Sequence, residues 1–279
     1  MAVAEDRLRK IGMLSMVKNV QTINMSKGLG PNDSAAVVLV LDSSPSNELM
    51  QGWNNRNRNY SSGLVPDLAN IAYAVSAAFD DDGIIPSTYF NERVSNIGLG
   101  DVNIDDSLGL IERTYRQNWA GGTNYLAALK WIVSQVDAFA GIDLGYSGAP
   151  MSVKFQSDLP LFAIFITDGE PTDSKSAIID YIKRISQLPI FIQFVGVGVD
   201  NDFHFLNKQL NEMPEGSRLI DNCGFFNAME VMPPGSYGPG VKRTAEQQDR
   251  LQKLILSKLL NEFPAYYREA RRIGLLTPQ

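Results

Sequence analysis

Three runs of aliphatic and β-branched residues constrain the fold of this chain more than any other feature of its sequence. AAVVLVLD (35–42), LFAIFITD (161–168) and IFIQFVGVGV (190–199) are almost continuously apolar and have the length of a β-strand. A strand with one solvated face alternates between apolar and polar residues, so a continuous run predicts a strand covered on both faces, as in a parallel sheet. A shorter and weaker run, IIPSTYF (84–90), predicts a further strand.

Amphipathic segments separate these runs. Apolar residues at three- and four-residue spacing predict helices over 67–79, 123–139 and 174–188. Strands that alternate with helices of this length predict right-handed crossovers, and therefore a doubly wound α/β fold with a mostly parallel sheet and helices on both faces. The segment 146–158 is predicted to be a long surface loop.

The C-terminal part of the chain predicts one long amphipathic helix, over 244–263. Thr244 and Gln247 have the spacing of a capping box, and the apolar residues that follow fall on one face until Pro264. We expect this face to dock on the domain itself. The basic and aromatic segment 266–276 is predicted to be mostly solvated surface with one further anchor.

Composition narrows the class of protein. The net charge is −6, from 31 acidic and 25 basic residues, which disfavours nucleic-acid binding as the main role. The single cysteine excludes an internal disulfide bond, and the N-terminal sequence does not resemble a signal peptide. No segment approaches the roughly 20 apolar residues that a membrane helix needs. These features predict a cytoplasmic protein without membrane insertion.

Five oxygen-bearing side chains are predicted to meet at one edge of the sheet, because ligands of such folds bind at the carboxyl ends of the strands. Asp42, Ser44 and Ser46 leave the first strand at alternate positions and can point the same way. Thr123 follows two glycines and opens a helix, and Asp168 ends another buried strand. With neither His nor Cys among them, these side chains suit Mg²⁺ or Mn²⁺, and Ca²⁺ uses the same class of ligand.

The same segments resemble a known family. LVLDSSPS, GGTNY and FAIFITDGEPTD are similar to the three motifs of the metal-ion-dependent adhesion site of von Willebrand factor A (VWA) domains. The segments 78–90, 189–210, 221–226 and 259–276 resemble the bacterial tellurium-resistance and stress-associated branch of these domains, the TerF-like group. In the first motif Pro45 stands where the family commonly has glycine, and proline cannot adopt a positive φ.

The resemblance implies five parallel strands and one short antiparallel edge strand, with a divalent ion at the top of the sheet. It implies that Asp42, Ser44, Ser46 and Thr123 bind this ion, and that Asp168 does so directly or through water. It also implies that the C-terminal helix belongs to the domain. We therefore predict an N-terminal extension (1–34), partly packed on a single VWA-like domain (35–279).

These expectations favour a protein-interaction module and not an enzyme. The ion would join the site to an Asp or Glu carboxylate of a protein partner, in a bacterial tellurium-resistance or stress-response system. A metal-dependent phosphoester hydrolase and a metal-free scaffold are the alternatives. No Walker A loop or G-x-S-x-G elbow is present, and Glu170 is the carboxylate that could serve a hydrolase as general base.

Other candidate sites have simpler interpretations. The segment 101–112 has the ligand spacing of a calcium-binding EF-hand loop but has Asp106 in place of the required glycine, so a helix start is the favoured alternative. The acidic run 80–82 predicts a solvated turn between a helix and an edge strand. His204 is expected to be a surface or packing residue, and Cys223 a small buried one.

Overall fold

The apolar runs form the inner strands of a six-stranded sheet. The computed structural model of the chain describes residues 3–48, 58–80, 82–136, 154–198, 203–233, 235–238 and 241–278. The strands within these ranges are β1 (Ala36–Asp42), β2 (Ile84–Phe90), β3 (Val94–Asn103), β4 (Leu161–Thr167), β5 (Ile190–Gly196) and β6 (Cys223–Asn227).

The strand order is β3-β2-β1-β4-β5-β6, and all neighbouring strands are parallel except β3, which runs antiparallel to β2. This confirms the predicted α/β fold with a mostly parallel sheet. The helices within the described ranges are α1 (Glu5–Lys10), α2 (Leu14–Ser26), α3 (Leu64–Phe79), α4 (Leu110–Thr114), α5 (Tyr125–Ser134), α6 (Lys175–Ile185), α7 (Ala228–Val231), α8 (Ala245–Leu259) and α9 (Phe263–Arg272).

The continuous apolar character of the inner strands follows from burial on both faces of the sheet. In β1, Leu39 and Leu41 belong to a core layer shared with α1, α2, α3, α8 and α9. Val38 and Val40 belong to the opposite layer, which contains the buried side chains of α5, α6 and a π-helical segment (Phe205–Asn211). Successive side chains of a strand point to opposite faces, so both sets must be apolar.

One strand assignment from the sequence was wrong. The strand β2 was predicted to lie at the edge of the sheet, but β3 pairs with it and occupies the edge. β3 carries no apolar run; it contains Gly98 and Gly100 at positive φ, and Ile97 is 57% exposed. It also has ten residues, so the antiparallel edge strand is longer than the resemblance implied.

The predicted C-terminal helix is present, and the helical region extends beyond it. Thr244 and Gln247 form the reciprocal hydrogen bonds of a capping box at the start of α8. A break follows Leu259, and Pro264 lies in the first turn of α9, where its missing N–H leaves no intrahelical hydrogen bond unmade.

The segment 266–276 is not the solvated surface that its composition suggested. Tyr266, Tyr267 and Leu275 are buried, and Phe263 at the start of α9 stacks on Phe162 of β4 with ring centroids 4.4 Å apart. The arginines of α9 stay at least partly exposed while these aromatic residues are buried, because a short amphipathic helix exposes one face and buries the other. α9 therefore belongs to the domain core.

The described part of the predicted N-terminal extension also contributes to the core. Leu8, Val17 and Val20 are buried in the layer that contains α3. The predicted surface loop 146–158 and the end of the predicted helix 123–139 lie largely outside the described residues, which resume at Lys154. Within the part of the chain that the structure describes, no helix combines the length and the apolar character that a membrane crossing requires.

Candidate metal centre

The register between β1 and β4 creates the candidate site. Leu41 pairs with Ile166, so the next residues, Asp42 and Thr167, lie side by side at the carboxyl edge of the sheet. Thr167 Oγ1 donates a hydrogen bond of 2.7 Å to Asp42 Oδ2. Asp168 follows Thr167 directly and thereby enters the space above the end of β1.

The loop after β1 brings both predicted serines to this space. The backbone N–H of Ser44 donates to Asp42 Oδ1 at 2.8 Å, and the hydroxyl oxygens of Ser44 and Ser46 lie 2.9 Å apart. Ser46 Oγ donates to Asp168 Oδ1 at 2.8 Å. Four of the five predicted residues are therefore joined by hydrogen bonds, and their role as metal ligands stays a prediction.

Pro45 is compatible with this arrangement. Ser44 is extended, with φ −66° and ψ 151°, and Pro45 begins a single 3₁₀ turn that ends at Asn47. The first position of a helical turn requires no N–H donor and suits the fixed φ of proline. The turn leaves Ser44 and Ser46 adjacent, so this loop forms without a positive φ between the two serines.

Thr123 reaches the same edge of the sheet by a different route. Its backbone N–H donates to Thr172 Oγ1 at 3.0 Å, and its carbonyl oxygen accepts from the Thr172 N–H at 3.0 Å. The Asp173 carboxylate accepts hydrogen bonds from the N–H groups of Tyr125 and Leu126 at the start of α5, at 3.1 and 2.8 Å. These bonds fix the Thr123 segment to the segment after Asp168.

Within the described residues, no hydrogen bond joins Thr123 to the other four predicted ligands. The side chain is nonetheless buried, and its segment is also held to the loop after β2, where the Asn124 N–H donates to Asn91 O at 2.7 Å. Thr123 is thus a neighbour of the hydrogen-bonded group and not a member of it.

The Asp42 carboxyl is buried in a way that favours a bound cation. Burial raises the pKa of Asp42, and the hydrogen bonds from Thr167 and Ser44 counteract this only in part. No Lys or Arg within the described residues forms an ion pair with Asp42. A buried carboxylate without a neighbouring positive charge is costly, and a metal ion is one way to compensate that charge.

The donor set fits a hard divalent ion. It contains two carboxylates, and the remaining donors are hydroxyl oxygens, which suit Mg²⁺, Mn²⁺ or Ca²⁺ far better than Zn²⁺. Ser46 Oγ donates a hydrogen bond to Asp168 and lies 2.9 Å from Ser44 Oγ, which leaves one of its two lone pairs for an ion. Within the described residues, no three His, Cys, Asp or Glu side chains gather as a metal cluster.

Sequence reasoning missed several residues that organise the site. Thr167 and Asp173 lie within the third motif, and Tyr125 is the last residue of the second, so their proximity to the predicted ligands was a usable signal. Tyr125 Oη lies 2.6 Å from Gly169 O and 3.1 Å from Thr167 Oγ1. Tyr60 gave no such signal, yet its hydroxyl donates to Asp42 O at 2.6 Å.

The calcium-loop interpretation of 101–112 finds no support from its side chains. Asn103 and Asp105, two of the supposed ligands, accept hydrogen bonds from Arg7 at 2.7 and 2.9 Å. Asn103 also caps the short turn that follows β3. The predicted helix start is present, at Leu110.

The other candidate residues lie in a turn, on the surface, in the core or in an ion pair. Asp82 Oδ1 accepts the Ile84 N–H at 2.6 Å, as in a turn, whereas Asp81 lies outside the described residues. His204 is exposed next to the π-helical segment. Cys223 is buried, and burial raises the pKa of its thiol to about 12. Glu170, the candidate base of a hydrolase, forms an ion pair with Lys175.

Comparison with known proteins identifies the family. The chain is similar to the "Uncharacterized protein YcbR" of Bacillus subtilis (strain 168), with 27% identity over 224 residues, which cover 79% of this chain and 76% of that protein. Residues 34–234 match the family model vWA-TerF-like, described as the vWA found in the TerF C terminus. This match covers β1 to β6 and all the segments that carry the candidate site. The chain therefore belongs to the family of VWA domains of the type found at the C terminus of TerF.

Proposed function

We propose that the protein is a metal-dependent interaction module that binds an Asp or Glu carboxylate of a protein partner. Asp42, Ser44, Ser46 and Thr123 would hold Mg²⁺, with Mn²⁺ or Ca²⁺ as substitutes, and Asp168 would act directly or through water. The observation that carries the proposal is the group of Asp42, Ser44, Ser46 and Asp168, joined by hydrogen bonds at the carboxyl edge of the sheet.

The choice of a carboxylate follows from charge. At most two carboxylates of the chain would contact the ion, so a divalent ion would keep enough positive field to prefer a third carboxylate over water. The chain's own residues would position the ion: Thr167 and the Ser44 N–H orient Asp42, and Thr172 with Asp173 hold the Thr123 segment.

A binding role is favoured over catalysis. The Glu170 carboxylate, the available candidate for a general base, is engaged with Lys175, and hydrolysis of a phosphoester would need such a base or a second metal. We further propose that the protein acts in the cytoplasm, in a tellurium-resistance or stress-response system, because its family is that of TerF-type domains.

Calorimetry tests the ion. Mg²⁺ and Mn²⁺ are titrated into chelator-stripped wild-type protein and into the variants Asp42→Ala and Thr123→Ala, with thermal unfolding recorded for each. Asp180→Ala, which removes an exposed carboxylate from α6, is the matched control. We expect saturable binding near one ion per chain, weakened by both site variants and unchanged in the control.

Water-proton relaxation of the Mn²⁺-loaded protein tests the carboxylate. An ion with open positions enhances relaxation through exchanging water, and added acetate should reduce this enhancement by displacing water. Absence of ion binding to the wild type contradicts the proposal and favours a scaffold without metal. Metal-dependent turnover of p-nitrophenyl phosphate that Asp42→Ala abolishes would instead establish the hydrolase.

A further inference from the structure

A groove lies between helix α8 and the segment that follows α7. Its volume is about 420 Å³, within the range of roughly 300–1,000 Å³ that ligand sites in proteins span. We call it the α8 groove. It is lined on one side by Gln247, Arg250, Leu251 and Leu254 of α8 and on the other by residues that include Val241 and Lys242.

One wall of the α8 groove is a single stripe of the helix. Gln247, Arg250, Leu251 and Leu254 stand at helical positions i, i+3, i+4 and i+7, which share one face. At 1.5 Å per residue this stripe is about 10 Å long, and an extended peptide rises about 3.3 Å per residue. The groove therefore matches about three residues of an extended peptide.

The charge of the groove is opposite to that of the whole chain. Lys242, Arg243 and Arg250 line it, and no Asp or Glu is among the described residues that do so, although the chain has a net charge of −6. Arg243 is engaged, since it forms a 2.6 Å ion pair with Asp67. Lys242 and Arg250 form no ion pair within the described ranges.

The groove also exposes apolar surface beside these cations. Val241 is 42% exposed on one wall, and Leu254 is partly exposed on the other, above the buried Leu251. Two cations that form no ion pair with any described residue, next to apolar side chains, fit a ligand that has both acidic and apolar groups. Neither a purely polar anion nor an apolar helix face would match both features.

Contacts of Arg243 and Tyr237 fix the described residues of the wall opposite α8. Arg243 donates to Ser236 O at 2.7 Å and lies over the Tyr237 ring, 4.3 Å from its centroid. Tyr237 Oη donates to Asp67 Oδ2 at 2.9 Å, in the first turn of α3. Side chains that are already fixed lose little conformational entropy when they bind a peptide.

We propose that the α8 groove is a second interaction surface, which binds a short acidic and apolar peptide segment of a protein partner independently of a metal ion. Lys242 and Arg250 pair with the carboxylates of the segment, and Val241 and Leu254 contact its apolar side chains. An anionic membrane is a poorer match, because the acidic chain as a whole would be repelled by it.

Fluorescence anisotropy with labelled peptides tests this surface. The probe is Ac-DLEDLE-NH2; Ac-KLRKLR-NH2 reverses its charge and Ac-DSEDSE-NH2 removes its apolar side chains. All titrations contain EDTA, so that a carboxylate bound at the candidate metal centre cannot contribute. The variants are Arg250→Glu and, as a control with the same change in net charge, Lys130→Glu on the exposed side of α5. Circular dichroism verifies that each variant is folded.

We expect the probe to bind at least about tenfold more tightly than either comparison peptide. Arg250→Glu should weaken this binding at least about tenfold, and Lys130→Glu less than about twofold, since a distant exposed charge is screened by salt. Equal affinity for acidic and basic peptides, no binding of the probe, or an unaffected Arg250→Glu variant overturns the proposal. Preference for phosphatidylglycerol vesicles over the peptide, lost in Arg250→Glu, would assign the groove to a lipid surface and overturn it as well.

Discussion

Replacement of Thr167 by valine should lower the stability of the metal-free protein, mainly through the hydrogen bond to Asp42, since Tyr125 Oη, which also contacts Thr167 Oγ1, keeps its bond to Gly169 O. The threonine and valine side chains have nearly the same shape, but valine cannot donate to Asp42 Oδ2, which Thr167 Oγ1 contacts at 2.7 Å. Both Asp42 and Thr167 are buried, so water cannot replace the lost donor. A buried acceptor left without its partner costs about 1–3 kcal/mol.

This cost converts into a measurable shift. A loss of about 2 kcal/mol lowers the melting temperature by roughly 4–8 °C for a domain of 150–250 residues. Urea unfolding in EDTA, followed by circular dichroism, measures the free energy directly. Thr167→Ser is the matched control because it keeps the hydroxyl group and removes only a methyl group. A Thr167→Val variant as stable as the wild type in EDTA would refute the reasoning from this hydrogen bond.

The same substitution should weaken metal binding if the proposed centre is correct. Groups that orient a metal ligand typically contribute 10–100-fold in affinity when they are removed, and Thr167 orients Asp42. We expect a loss in this range for Thr167→Val in Mn²⁺ calorimetry and a smaller one for Thr167→Ser. If stability falls but Mn²⁺ affinity is unchanged, Asp42 is a structural residue and not a ligand.

Two further substitutions probe the C-terminal part of the domain. Phe263→Ala should cost about 3–5 kcal/mol in urea unfolding, because Phe263 is buried against Phe162 and Phe79; an unchanged midpoint would show that α9 is not part of the cooperative unit. Burial, with a contribution from Asp221, raises the pKa of Glu262 from 4.5 to about 6. Its contribution to stability is therefore full below about pH 4.5 and lost as the pH rises through about 6. Glu262→Gln should match the wild type at pH 4 and exceed its stability by about 1 kcal/mol at pH 8, the linkage value being reduced by partial exposure; a constant difference between the two would contradict this assignment.

The sequence predicted the inner strands because their burial requires a continuous run of apolar residues. Residues buried on both faces of a sheet must be apolar at every position, so β1, β4 and β5 are visible as continuous runs. β3 has no such run, because it is an edge strand with exposed side chains. Its sequence contains Gly98 and Gly100, and glycines are typical of turns; both have a positive φ in the structure.

The C-terminal residues show the limit of composition as a guide to burial. The segment 266–276 has four charged residues, and these suggested solvent exposure. Its aromatic residues are buried because α9 packs across β5, where Tyr266 contacts Phe191 with ring centroids 5.1 Å apart. Which face of a short helix is covered depends on the surface opposite to it, and that surface is distant in sequence.

The sequence by itself determined the α/β fold and the placement of Asp42, Ser44, Ser46 and Asp168 at strand ends, since periodicity and alternation are local properties of the chain. Only the tertiary structure decided how these groups meet. The register of β1 against β4 places Thr167 beside Asp42, and the packing of two distant segments joins Thr123 to Thr172. Such contacts depend on neighbours more than 40 residues apart, and no local pattern encodes them.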